Sequence, residues 1–167
     1  MTNKTPLCSL KLASLTLAAG GMAISVPASA QYNQVISNNM SKCSGAGPAV
    51  KVTVNGIKEA SGKIRVQSYN GTKADWLESG RWLARIEAPA KSGSMTFCVP
   101  VSSSGTYGIA VRHDVNGNGK TDITKDGGAM SNNPSISILN LGKPSYKKTA
   151  FSVGTGVTAI SIDMKYF

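Results

Sequence analysis

The chain carries a single histidine, His113, and only three cysteines, Cys8, Cys43 and Cys98. None of the cysteines stands in a C-x-x-C spacing, so the sequence offers no soft-ligand set for zinc and no redox motif. There is no G-x-S-x-G turn, no phosphate-cradling glycine loop and no carboxylate pair placed for acid–base work. Aromatic residues make up 6% of the chain, and acidic residues number 8 against 18 Lys and Arg. The basic residues are scattered, with Lys147-Lys148 the one adjacent pair. Without clustering or interleaved aromatics they do not make a nucleic-acid groove, so no nucleic-acid partner is expected. The surplus charge reads first as a solvated surface. Gathered into a patch, it would suit acidic envelope polymers such as lipopolysaccharide, acidic polysaccharide or anionic lipid. No eleven-residue window shows a helical apolar stripe. No apolar run reaches the roughly 20 residues of a membrane span, so none is expected.

Residues 1–30 read as a cleavable signal peptide. A polar start with Lys4 and Lys11 leads into the apolar run Leu12 to Val26, and Pro27 precedes the small-x-small sequence Ala28-Ser29-Ala30. Gly20-Gly21 weakens the run as a membrane helix. Cleavage there predicts a periplasmic or secreted protein starting at Gln31. It removes two of the basic residues and none of the acidic ones, so the exported chain stays strongly positive. Cys43 and Cys98 survive, and an even pair in an oxidising compartment predicts a disulfide worth about 4 kcal/mol by loop closure.

Beyond the leader the chain divides into residues 31–48, a flexible stretch rich in Asn, Ser and Gly, and residues 49–167, one β-rich domain. Val50, Val52 and Val54 alternate with polar neighbours, as do Ile64 and Val66 after the turn at Ser61-Gly62. Met95 to Val101, then Tyr107, Ile109 and Val111, then Ala150 to Val153, and finally Val157 to Tyr166 continue the period of two. The segment Lys73 to Arg85, with Trp76 and Trp82, is the one candidate short helix, its Trp side chains expected to cap an end of the core. The pattern predicts an antiparallel β-sandwich of about seven strands, with one long loop after the Asp114–Asp122 turn. Tyr107, entering a strand after Gly105, suits either a tyrosine corner or an ordinary buried Tyr.

The stretch His113 to Asp122 holds the most specific signal. Asp114, Asn116 and Asn118 alternate, Gly119 permits a sharp turn, the Lys120 carbonyl follows, and Asp122 closes the set. That is the order of an EF-hand-type loop, in which alternate oxygen donors converge on Ca²⁺. Lys125 stands where a bidentate Glu would complete the shell, with Asp126 one residue beyond. The candidate calcium site is therefore a weak one, with a Kd of roughly 10⁻⁴–10⁻³ M. The same double Asn-Gly also builds a tight turn without any metal. Both readings stand on these residues.

Val52 to Gly56, Gly62 to Val66 and Gly105 to Asp114 running into Asn116-Gly117-Asn118-Gly119-Lys120 and Asp122 resemble domain-of-unknown-function family 2141, small exported bacterial proteins. Ser131-Asn132-Asn133, the Lys143 to Phe151 stretch and the closing strand to Tyr166 resemble its later blocks. The resemblance implies an immunoglobulin- or transthyretin-like sandwich and carries no enzyme activity with it. The chain departs from the family at Asp126-Gly127-Gly128-Ala129-Met130, where a Gly-x-Pro-x-Glu-Gly-Tyr-Gly-like stretch is the family habit. The expected function is an exported, non-catalytic binding or structural module of open ligand, steadied by the candidate calcium loop. An adhesion module for acidic glycans or lipopolysaccharide is the alternative. An enzyme using Asp114, Asp122 and His113 ranks behind both, because a basic loop holds carboxylates ionised and does not tune one upward.

Overall fold

A computed structural model describes residue 1, residues 31–137 and residues 143–167. The signal-peptide expectation falls on residues 1–30, of which residues 2–30 lie outside the described set. Among the described residues ten strands form two sheets: β1 Gln34–Val35, β2 Ala49–Ile57, β3 Lys63–Asn70, β4 Ala84–Pro89, β5 Gly93–Pro100, β6 Gly105–Asp114, β7 Gly127–Met130, β8 Phe151–Val153, β9 Val157–Asp163 and β10 Lys165–Tyr166. The larger sheet runs β1-β4-β3-β6-β7-β10, with β8 also paired to β6, and the smaller runs β5-β2-β9. A one-turn helix, α1 Tyr146–Thr149, precedes β8, and a 3-10 turn spans Met40–Cys43. No described helix is long and apolar enough to cross a membrane.

The core is what alternation dictates. Val50, Val52 and Val54 on β2, Phe97 and Val99 on β5 and Ile162 on β9 face Ile64, Val66, Ile86, Ile109 and Val111 across the sandwich, and all are buried. Burying each such side chain contributes about 1.5–3 kcal/mol, which drives the two layers together. At the end of β2 the register shifts between Val54 and Ile57, where Gly56 sits at φ +69°. This bulge keeps both flanking apolar residues inward although they are three apart. Gly62 is required for a different reason: a Cβ there would strike the backbone carbonyls of Asp114 and Val115, so the β2–β3 turn presses on the end of β6.

The structure departs from the sequence expectations in several places. Pairing is not wholly antiparallel: β1 runs parallel to β4, and β9 parallel to β2, because β9 re-enters the small sheet after a long return through the other layer. Lys73 to Arg85 is no helix. It makes turns over residues 73–77, Leu77 (φ +57°) and Gly80 (φ +71°) adopt left-handed backbone incompatible with a continuing helix, and β4 begins at Ala84. The long excursion after Asp122 contains β7, hidden from pattern reading because Gly127-Gly128 carries no side chains to alternate.

Residues 31–48, expected as a flexible leader, run along the open edges of both sheets. The Asn33, Gln34 and Ile36 amides donate to the carbonyls of Trp82, Leu83 and Arg85. Asn38 then clamps the β5 edge, its Oδ1 accepting from the Cys98 amide at 3.0 Å and its Nδ2 donating to the Thr96 carbonyl at 2.9 Å. Cys43 is bonded to Cys98. The segment thus blunts two edges that would otherwise invite pairing with another chain. Tyr107 is a tyrosine corner, donating to the Ser103 carbonyl at 2.8 Å.

Candidate functional site

Outward-pointing residues of the larger sheet do not face water as a plain polar surface. Two segments, residues 71–83 and residues 131–137 with 143–146, fold over them. Tyr69, Trp76, Trp82 and Met130 are buried there as a second apolar cluster, with Leu77, Ala110, Ile136 and Tyr146 packed against it. Trp76 lies edge-on to Tyr69, and its indole N–H donates to the Pro144 carbonyl at 2.9 Å, joining the two loops. Gly108 on β6 is the seat for that ring: a Cβ there would lie 2.6 Å from Trp76 Cζ3. The Trp residues therefore pack on the outer face of the sheet and not at an end of the main core.

Asp75 anchors the first loop. Buried itself, it accepts from Tyr32, Asn70 and Thr72 hydroxyl or amide groups and pairs with Arg81 at 2.8 Å. Burial pushes its pKa up, but the hydrogen bonds from Asn70, Thr72 and Tyr32 and the Arg81 charge outweigh it, leaving the carboxyl below its ordinary value.

The loops cover the β4–β3 end of this face and leave a cleft of about 270 Å³ over β6 and β7. That lies near the lower end of the roughly 300–1,000 Å³ typical of small-ligand sites. Leu77, Met130 and Ile136 give it apolar walls, and Ile123 and Phe167, each a little under half exposed, stand at its mouth. Three of the four ionisable side chains in the wall are cationic, namely Arg65, Arg112 and Lys143, and the fourth is Asp126. Arg65 and Arg112 are cross-strand neighbours on β3 and β6. Arg65 pairs with Glu87 at 2.7 Å, and Arg112 reaches Asp114 at 3.3 Å, the Gly119 carbonyl and the Thr121 hydroxyl. Burial, and then the charge of Arg65, push Arg112 below its ordinary pKa. Its Nε is buried with no hydrogen-bond partner. Opposite Arg112 on β7 stands Gly128, where an added Cβ would meet nothing within 4 Å.

The Asp114–Asp122 loop closes one side of the cleft through Thr121 and Ile123. The structure does bring Asp114, Asn116, Asn118, Lys120 and Asp122 into one loop, but most of their oxygens already accept hydrogen bonds from the loop itself or from Arg112. Asp122 Oδ2 accepts from both Asn116 and Asn118 amide groups, at 2.7 and 2.9 Å, and those bonds hold Asp122 below its ordinary pKa. The Asn116 and Asn118 oxygens accept from the Asn118 and Lys120 backbone amides. Asp126 takes the Val115 and Asp122 amides on its two oxygens, tying the loop base. Asp114, almost wholly buried, accepts from Gly119 on Oδ2, while its Oδ1 has no hydrogen-bond partner. Among the described residues no three His, Cys, Asp or Glu side chains gather to hold a metal.

His113 does not join these groups. Successive strand residues point to opposite faces, so His113 enters the main core while Asp114 points outward. His113 Nε2 donates to the Ser61 carbonyl and Nδ1 accepts from the Tyr166 hydroxyl, both at 2.8 Å, and that hydroxyl accepts from the Lys58 amide. The combination of His113 with Asp114 and Asp122 is therefore not assembled. Conversely, Arg65, Arg112, Lys143 and Gly128 were not singled out by sequence. Ile64-Arg65-Val66 and Val111-Arg112-His113 each put an Arg between inward residues, a signal that acquires meaning only once strand register makes the two neighbours.

Fold and site define a class: a disulfide-pinned β-sandwich whose larger sheet carries a half-roofed outer face. The chain belongs to the family described as Uncharacterized protein conserved in bacteria (DUF2141), which it matches over residues 52–161, more than half its length. No curated protein and no solved structure matches it.

Proposed function

We propose that this domain is a non-catalytic binding module of an exported protein, and that the cleft over β6 and β7 is its site. The observation that carries the reading is the concave, mostly apolar cavity with convergent cationic groups, placed beside exposed Ile123 and Phe167. Exposed apolar residues at a cavity mouth are what a binding site leaves unsatisfied in the free protein. The test is a titration with the neutral apolar probe N-phenyl-1-naphthylamine, followed by amide NMR shifts. Shifts confined to residues 121–130 and Ile136, and abolished by Gly128→Leu, are expected. A Cβ at Gly128 meets nothing within 4 Å, so a larger side chain starts into open space there. Shifts spread over the whole surface, or unaffected by Gly128→Leu, would defeat the reading.

A second reading concerns the Asp114–Asp122 loop as a weak calcium site steadying one wall. The buried, unpartnered Asp114 Oδ1 favours it. Arg112, already at Asp114 Oδ2, opposes a second cation nearby and keeps such a site weak.

A further inference from the structure

Resting on the cleft as the binding site, we infer that its ligand is a small amphiphilic monoanion, a carboxylate bearing a short apolar tail, with the head group at Arg65, Arg112 and Lys143. The charge balance favours a small anion. Of the ionisable side chains lining the cleft, Arg65, Arg112 and Lys143 are cationic and Asp126 alone is acidic, while Glu87 and Asp114 offset the two Arg from outside it. Asp114 does not line the cleft, and Asp126, which does, has both oxygens engaged by the Val115 and Asp122 amides, so neither carboxylate is free to take the place of an anion there. Two adjacent half-buried guanidinium groups repel one another, and an anion placed between them relieves that repulsion while offering Arg112 Nε an acceptor. Arg suits a planar carboxylate because its donors form a rigid fork. Gly128 leaves the space beside Arg112 open for that head group. The tail then lies along Leu77, Met130 and Ile136 toward Ile123 and Phe167. Burying a methylene there contributes about 0.8 kcal/mol, so charge and tail act together.

The test holds the tail constant and changes the head: octanoate, octanol and octyltrimethylammonium, each titrated into the full exported chain at low salt with amide NMR readout. Octanoate is expected to bind about tenfold tighter than octanol, and octyltrimethylammonium not at all. Gly128→Leu should abolish octanoate binding, and Lys143→Gln, on an exposed lip residue, should weaken it several-fold while leaving the spectrum otherwise intact. Octanol binding as tightly as octanoate, with both lost in Gly128→Leu, would overturn the monoanion and leave the cleft reading standing. Failure of all three to shift cleft residues would overturn both. An acidic oligosaccharide that binds wild type and Gly128→Leu equally, and outcompetes octanoate, would replace the monoanion with adhesion to an acidic polymer.

Discussion

The outer faces of the two sheets are built from the same strand geometry and treated in opposite ways. On the small sheet, Lys51, Thr53 and Asn55 of β2 stand beside Ala159, Ser161 and Asp163 of β9, short or charged residues joined by bonds such as Asn55 to Ser161 at 2.8 Å. That face ends at water. On the larger sheet the equivalent positions hold Arg65, Tyr69, Gly108, Arg112 and Met130, and two loops are laid over them. A sandwich needs only its inner faces apolar to fold. The added layer on one outside goes beyond that minimum and buries a second apolar cluster, and the proposed binding site is the part of the face it leaves uncovered.

The largest expected effect tests what the two sheets share. Phe97→Ala empties the centre of the common core, where the ring is fully buried, and should cost about 3–5 kcal/mol in denaturant unfolding. Thr53→Ala, on the solvated face of the small sheet, should stay within about 0.5 kcal/mol. Equal effects would erase the distinction between inner and outer surfaces.

Next comes the anchor of the roofed face. Asp75→Ala strands several donors and the Arg81 charge, and should cost about 2–3 kcal/mol. The pH dependence has a definite sign. Asp75 titrates below its ordinary value when folded, so its stabilisation is fully present above the unfolded pKa of about 3.9 and is lost as pH falls toward the lowered folded value. Asp75→Asn should flatten the stability–pH curve below about pH 4. An unchanged acid limb would assign that limb to other carboxylates.

Two glycines sharpen the contrast between roofed and open parts of one face. Gly108→Ala drives a methyl into the Trp76 ring and should cost about 1–3 kcal/mol. Gly128→Ala, over the cleft, should leave the melting temperature unchanged or slightly raised, since strand Gly is entropically costly. Differential scanning calorimetry of the pair separates them. Similar losses would mean the cleft is closed in solution.

The smallest effect concerns the loop. If calcium binds it, a concentration ten times Kd should add about 1.4 kcal/mol, a rise of roughly 3–6 °C in melting temperature. Asp114→Ala should remove the calcium-dependent rise, and magnesium should substitute poorly because it demands tight octahedral geometry. No shift at about 10 mM calcium would leave the loop as a hydrogen-bonded turn.

The strands that alternate cleanly, β2, β3, β5, β6 and β9, could be read directly from the chain, because one face of each is buried and the period of two shows through. So could the disulfide, from cysteine count, whereas the loop could be read only as a turn or a calcium site, and the bonds from Asn116 and Asn118 to Asp122 came from the structure. What escaped was information carried by pairing. β4 was masked by the Trp-rich segment before it, β7 by its glycines, and β1 by a polar sequence that reaches a sheet only through backbone bonds. The cleft was hidden for the same reason: Arg65, Arg112 and Gly128 become neighbours through the β3–β6–β7 register, and nothing in their sequence spacing announces it.

The parallel β2–β9 ladder has a kinetic consequence. β2 is the central strand of the small sheet, yet its contacts with β9 join residues 106 apart, as for Asn55 and Ser161. Closing so long a loop comes late and slowly. Until residues 157–163 arrive, the β9-facing side of β2 is an open template that any other strand could join. Removing β9 should thus produce aggregation before it produces a merely less stable monomer.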